Sequence, residues 1–277
     1  MIREQRSIYR TQRRAQYDYD PKPRRRPAWS GSTRLWIPLS LAGMLLLWRA
    51  LVFIGDYPPF VLPAPEQVAA RWLQEMTGGV LLSHTLYTLA EALGGFAIAL
   101  ILSLSLGYAL AHAPRLERIV AAHIVIIQAI PVVAIAPLII LWVGYDLRAK
   151  ILIAAVVTFF PMLSSVIVAL RGVPRDLLEM GAISGAGRWD TLRHIELPLA
   201  LPALFGGIKT GLALATTGAV VAEFIGGRNG LGALINIARG LFDTPLLFVS
   251  LLTLALLTLA FYLIAIGLER RLITWND

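Results

Sequence analysis

Four stretches of this chain carry no Asp, Glu, Lys or Arg: Ala92 to Pro114, Ile119 to Tyr145, Ile151 to Leu170 and Thr244 to Leu268. Each is long enough to cross a bilayer, which takes about 20 predominantly apolar residues in a helix. A fifth stretch, about Leu201 to Ala222, is interrupted only by Lys209, and a sixth, about Leu35 to Ile54, only by Arg49. Core helices of a soluble α protein would alternate an apolar face with a charged one; these stretches do not. The pattern predicts an all-α polytopic membrane protein with six transmembrane helices, at about 35–54, 88–111, 119–143, 150–170, 201–222 and 245–267. Charged residues make up 15% of the chain, against about 25% in an ordinary soluble domain.

Charge then sets the expected orientation, because loops rich in Lys and Arg stay on the cytoplasmic side. With the amino terminus inside, residues 1–34, 112–118, 171–200 and 269–277 hold 18 of the 25 basic residues. The opposite segments hold five: Arg71, Arg148, Lys150, Arg228 and Arg239. Both termini are therefore expected in the cytoplasm. The first apolar run follows 34 residues and is not followed by a small-residue cleavage pattern, so it reads as a retained span rather than a signal peptide. The basic tail 1–34 reads as a disordered topology anchor beside anionic lipid. A nucleic-acid arm is the poorer reading, since no folded binding module follows it.

Roughly 30 residues separate the fourth span from the fifth, and they carry the strongest functional signal. Pro174 suits the first turn of a helix, with Asp176 and Glu179 near its positive end. Gly185 and Gly187 should stop or bend that helix. Arg188 to Ile195 can then form a second short helix that Pro198 ends, giving a helix–turn–helix over 171–200. Glu179, Gly185, Ile195 and Leu197-Pro198 fall in the register of the EAA signature, and this segment resembles that of permease subunits in binding-protein-dependent ABC importers. The resemblance implies that Glu179 to Gly185 seats on a separate ATP-hydrolysing subunit and couples to it. Met180-Gly181 stands where the signature has two alanines, and a glycine there loosens a helix by about 1 kcal/mol.

The resemblance extends to nearly the whole chain from residue 35. Leu62-Pro63-Ala64-Pro65, the Pro131 to Pro137 stretch, Gly185 to Trp189, and Glu223 followed by Gly230-Leu231-Gly232 are similar to the nitrate, sulfonate and taurine branch. It implies a type I ABC importer permease-like fold, a permease homodimer, and an external solute-binding protein, periplasmic or lipid-anchored. It also implies a small anionic solute, with a vitamin-like heterocycle as the alternative.

Several residues within the spans invite separate readings. Ala203, Gly207, Gly211, Ala215 and Ala219 recur every four residues, a ladder that lets another helix approach closely. Lys209 and Glu223 share a helix face but lie about 21 Å apart along the axis, so they do not pair. Lys209 reads as snorkelling to the interface. Glu223 reads as an outer gate or a contact to a neighbouring subunit. Gln128 and Pro131 read as lining a path, or as marking a simple kink. Arg49 reads as reaching the outer headgroups or touching solute.

No Gly-x-x-x-x-Gly-Lys-Ser/Thr pattern is present, so ATP is expected to be bound by the partner and not by this chain. The four histidines lack metal-ligand spacing, there is no cysteine, and no cofactor or catalysis is expected. An ion-coupled carrier would need intramembrane carboxylates and an internal repeat; Glu91 and Glu223 are the only candidate carboxylates, both near span ends. An integral-membrane enzyme would need acid, base or metal groups clustered at one depth, and the sequence shows no such cluster.

Overall fold

The computed structural model describes residues 33–274, so the basic tail falls almost entirely outside it. The described chain divides into two compact units at the Ile54–Gly55 junction. The first contributes helix α1 (Thr33–Gly55), which is long enough to cross a bilayer at 1.5 Å per residue. Its described side chains are exposed or half-exposed throughout.

The second unit contains α2 (Pro65–Thr77), α3 (Val80–Ala111), α4 (Pro114–Gln128), α5 (Val132–Val143), α6 (Leu147–Arg171), α7 (Arg175–Ile183), α8 (Arg188–Thr191), a π-helical turn (Leu192–Glu196), α9 (Leu197–Gly226), α10 (Leu231–Gly240) and α11 (Thr244–Leu272). Among the described residues five helices are long and apolar enough to span a membrane. A sixth span is made if α4 and α5 count as one.

The centre of this unit is α6, with α3 and α9 packed along it. Glycine permits the contact. A Cβ on Gly95 would lie 2.5 Å from Ala154 Cβ, and one on Gly218 would lie 2.7 Å from Ala154 Cα. A Cβ on Gly207 would lie 2.7 Å from Ser165 Cβ. The ladder predicted on α9 is thus a packing surface from Gly207 onward, whereas Ala203 is exposed. Ala92, Ala154, Leu212, Ala215, Ala219, Phe261 and Ala265 form the shared core of α3, α6, α9 and α11.

Two expectations about the spans are corrected, and one helix is added between them. The single span at 119–143 is two helices bent by 89°. Pro131 is the N-cap of α5, where its missing N–H and extended backbone (φ −61°, ψ 127°) break the helical ladder. The connection before the second span contains α2, which opens with Pro65 at its first turn while Gln67 Oε1 accepts the Ala64 N–H at 3.0 Å. Pro198 does not end a helix: it lies in the first turn of α9, continuous with the π turn before it. Proline has no N–H to give to the preceding turn, and the widened π register, in which Leu197 N–H bonds to Leu192 C=O, accommodates that absence.

The close helix contact yields the first prediction. Gly218→Ala forces a methyl against the α6 backbone and should cost about 1–3 kcal/mol, lowering the thermal midpoint of the purified protein. Gly206→Ala, with nothing within 4 Å of the added methyl, should leave that midpoint unchanged or slightly raised.

Candidate functional site

The loop between α6 and α9 folds back on the helices that bear it. Val166, Ala169, Val173, Ala200 and Leu204 form a buried cluster against which Leu178 and Ile195 pack. Gly181 is buried, and a Cβ on it would lie 2.7 Å from Ile195 Cδ1. The departure from alanine at this position is therefore a packing feature: α7 forms regardless, and the missing methyl lets Ile195 sit against it. Helix α7 ends in a Schellman turn. Gly185 is at φ +79°, its N–H bonds to Ala182 C=O at 3.1 Å, and Ala186 N–H bonds to Gly181 C=O at 3.0 Å. The second short helix predicted for Arg188 to Ile195 is one α turn followed by the π turn.

The opposite face of the loop exposes apolar side chains. Met180 is 63% exposed, Ile183 87% and Trp189 68%, and Glu179 is exposed beside them. Leu197 and Pro198 lie at the start of α9, the former exposed and the latter half-buried. Glu179, Gly181, Gly185 and Ile195 are thus one small body, with Gly181 and Ile195 at its base and Glu179 on its surface.

Glu196, which the sequence reading passed over, anchors this body to α3. Its carboxylate accepts from His112 Nε2 at 2.8 Å, while His112 Nδ1 lies 2.9 Å from the Tyr108 carbonyl. Both imidazole nitrogens face acceptors, an arrangement that calls for the doubly protonated ring. Burial lowers the proton affinity of His112, but the Tyr108 carbonyl and the Glu196 carboxylate outweigh it and hold the pKa above the ordinary 6.5, with Arg188 a smaller opposing charge. At the same end Arg171 pairs with Glu117 at 2.6 Å.

The end of the helices remote from the loop carries a buried polar cluster. Glu223 is fully buried. Its Oε1 accepts from Thr88 Oγ1 at 2.7 Å and its Oε2 from the Gly232 N–H at 2.5 Å, while Thr88 Oγ1 accepts from the Leu231 N–H at 2.8 Å. Leu231 and Gly232 are the first residues of α10, so the carboxylate caps the positive end of that helix from the preceding one. A Cβ on Gly230, at φ +112°, would lie within 2.1 Å of the Glu223 carboxyl carbon, and one on Gly232 would lie 2.7 Å from Oε2. The Gly230-Leu231-Gly232 motif is what room for Glu223 requires. This corrects the expectation of a contact to a neighbouring subunit: the carboxylate is occupied inside the chain.

Beside it, Lys150 Nζ donates to Glu91 Oε1 at 2.8 Å and to the Asn229 carbonyl at 3.0 Å. Lys150 is 7% exposed and Glu91 fully buried, so Lys150 belongs to the helix interior and not to the connecting segment in which it was counted. Lys209 is also paired, with Glu269 at 2.5 Å, which corrects its reading as a snorkelling side chain. Gln128 and Pro131 separate in role: Gln128 lines a cavity of about 230 Å³ with Phe160 and Pro161, whereas Pro131 makes the bend.

Residues 99–274 match the family model described as "Binding-protein-dependent transport system inner membrane component". The chain belongs to that family. The riboflavin transport system permease protein RibX of Chloroflexus aurantiacus is 58% identical over 242 residues, covering 87% of this chain and 90% of the relative. The putative aliphatic sulfonates transport permease protein SsuC of Escherichia coli is 32% identical over 84% of this chain and 89% of its own length. In fold, the permease is similar to a chain of the inward-facing MetNI methionine ABC transporter, with TM-score 0.65 and 21% identity over 72% of this chain and 98% of that one. The permease is therefore a multi-pass membrane component of an ABC transport system, and membership implies an ATPase and a binding protein as partners.

Two predictions follow from these contacts. Glu223→Gln replaces one acceptor by a donor facing either the Thr88 hydroxyl or the Gly232 N–H, and should cost about 1–3 kcal/mol, seen as a lower thermal midpoint. For His112, the raised folded pKa means that the tie to Glu196 is fully present below the unfolded value and is lost as pH rises through the folded one. Thermal stability should fall over that rise, and Glu196→Gln should flatten the profile.

Proposed function

We propose that this chain is the permease subunit of an ATP-driven importer for a flavin-like vitamin heterocycle. The observation that carries the substrate reading is the 58% identity to the riboflavin permease, extending over nine-tenths of that relative. The sulfonate relative stands at 32%. The nitrate-, sulfonate- or taurine-like anion suggested by the motifs gives way to the alternative reading, which the higher identity to the riboflavin permease supports.

In this reading two copies of the chain form the path, and two ATPases bind the ATP, with no cofactor held by the permease. The solute arrives from a periplasmic or lipid-anchored binding protein. The exposed Met180, Ile183 and Trp189, together with Glu179, are the docking face for the ATPase. Gly181, Gly185, Ile195, Leu197 and Pro198 hold that face in shape. Orientation follows the charge count: loop and both termini lie in the cytoplasm of a prokaryotic cell, beneath its inner membrane. The cavity beside Gln128, the bend at Pro131 and the far-end cap at Glu223 are parts of the path wall or its gate.

The test is uptake in proteoliposomes containing the permease, its ATPase and its binding protein. Radiolabelled riboflavin should accumulate with ATP and stop with vanadate, while labelled taurine should not accumulate. Double substitution of Met180 and Ile183 by Asp should abolish co-purification of the ATPase and uptake together. Taurine accumulation without riboflavin accumulation, or ATP-independent uptake, overturns the reading.

A further inference from the structure

Gln128 is the last residue of α4, where the chain turns by 89° into α5. It lies about 15 Å along the helix from Arg118, and Arg118 is the last charged residue before Asp146. That places it near the middle of a hydrocarbon layer about 30 Å thick. Its side chain is exposed, and its carboxamide has no hydrogen-bond partner among the described residues. Two cavities meet this side chain. One, of about 230 Å³, is walled by Ile127, Val157, Phe160 and Pro161 and has no charged residue in its lining. The other, of about 200 Å³, includes Ser164 and reaches Glu117, which pairs with Arg171 at the loop-bearing end. The helix across from Gln128 is interrupted as well, since Pro161 has no N–H to give the Val157 carbonyl. At this depth a free carboxamide and a broken helix persist only where protein covers them or where they line a water-filled cavity. The two cavities beside Gln128 supply the second.

We propose that Gln128 contacts the solute at the middle of the membrane and recognises a neutral planar heterocycle through paired hydrogen bonds. A carboxamide carries an N–H donor beside a carbonyl acceptor, the complement of a ring amide, whose C=O and N–H are also adjacent. The apolar wall of Ile127, Val157 and Phe160 suits the ring faces, and one polar group among apolar neighbours is how such sites fix orientation. A sulfonate in the same cavity meets no cation and keeps its charge in apolar surroundings, which is costly. The inference rests on the heterocycle reading above and names the residue that would carry it.

The chain has no cysteine, so Gln128→Cys gives the permease a single thiol. In the permease–ATPase complex in nanodiscs, a membrane-impermeant thiosulfonate reagent should modify that thiol, read by mass spectrometry of the permease. In proteoliposomes with the binding protein and ATP, Gln128→Leu should lower riboflavin uptake at least tenfold while the thermal midpoint and ATP hydrolysis stay unchanged. Gln128→Asn, which keeps the carboxamide, should retain more uptake than Gln128→Leu. An unreactive thiol, uptake unchanged in Gln128→Leu, or a loss of uptake matched by a lower thermal midpoint overturns the inference. Riboflavin uptake by the unaltered complex together with any of these results overturns this inference alone. A reactive thiol in a complex that imports no riboflavin supports the position on the path and overturns the heterocycle reading.

Discussion

Two carboxylates on one helical run hold this permease together. Glu196 precedes α9 and Glu223 lies near its end, about 40 Å apart at 1.5 Å per residue. Each is tied to α3, Glu196 through His112 and Glu223 through Thr88. A carboxylate removed from water is costly unless it is paired or hydrogen-bonded, so each tie fixes the neighbouring backbone as well as a side chain. Between them the glycine and alanine contacts of α3, α6 and α9 leave little freedom to slide. The result is a stiff unit with the folded loop at one end and a capped short helix at the other.

That arrangement explains what the loop can do. Its apolar base is locked under α9 by Ile195 and Gly181, and its Schellman turn fixes the direction in which α7 points. In the proposed coupling, a force applied to Met180 or Ile183 would reach α9 through the π turn and α3 through Glu196. The same helices position Glu223 and Thr88 at the far end. Packed interiors transmit displacement as shifts between discrete arrangements, and the ties determine which helices shift together.

Much of the fold was legible in the sequence, because spans are long and water is excluded from them. The breaks were not. Pro131 marked an interruption, but whether the chain continues or turns by 89° depends on what packs against it. Helices α2 and α10 are too short to register as spans. The loop was legible because its anchors are local: Glu179, Gly185 and Ile195 fall within one segment. The polar cluster was not, because Glu91 and Lys150 are far apart in the chain and meet only through packing. Counting uncharged runs treats every charge as a boundary, so Lys150, just before the run that starts at Ile151, was assigned to a connecting segment although it lies inside α6.

In the proposed coupling, motion of the loop is carried to the far end through the Glu196 tie. Hydrogen exchange in the assembled permease–ATPase complex, compared with and without vanadate-trapped nucleotide, measures it directly. In the unaltered chain, trapping should change exchange both in α7 and at the amides of Leu231 and Gly232; with Glu196→Gln only the α7 response should persist. Equal responses at Leu231 and Gly232 in both proteins would contradict it.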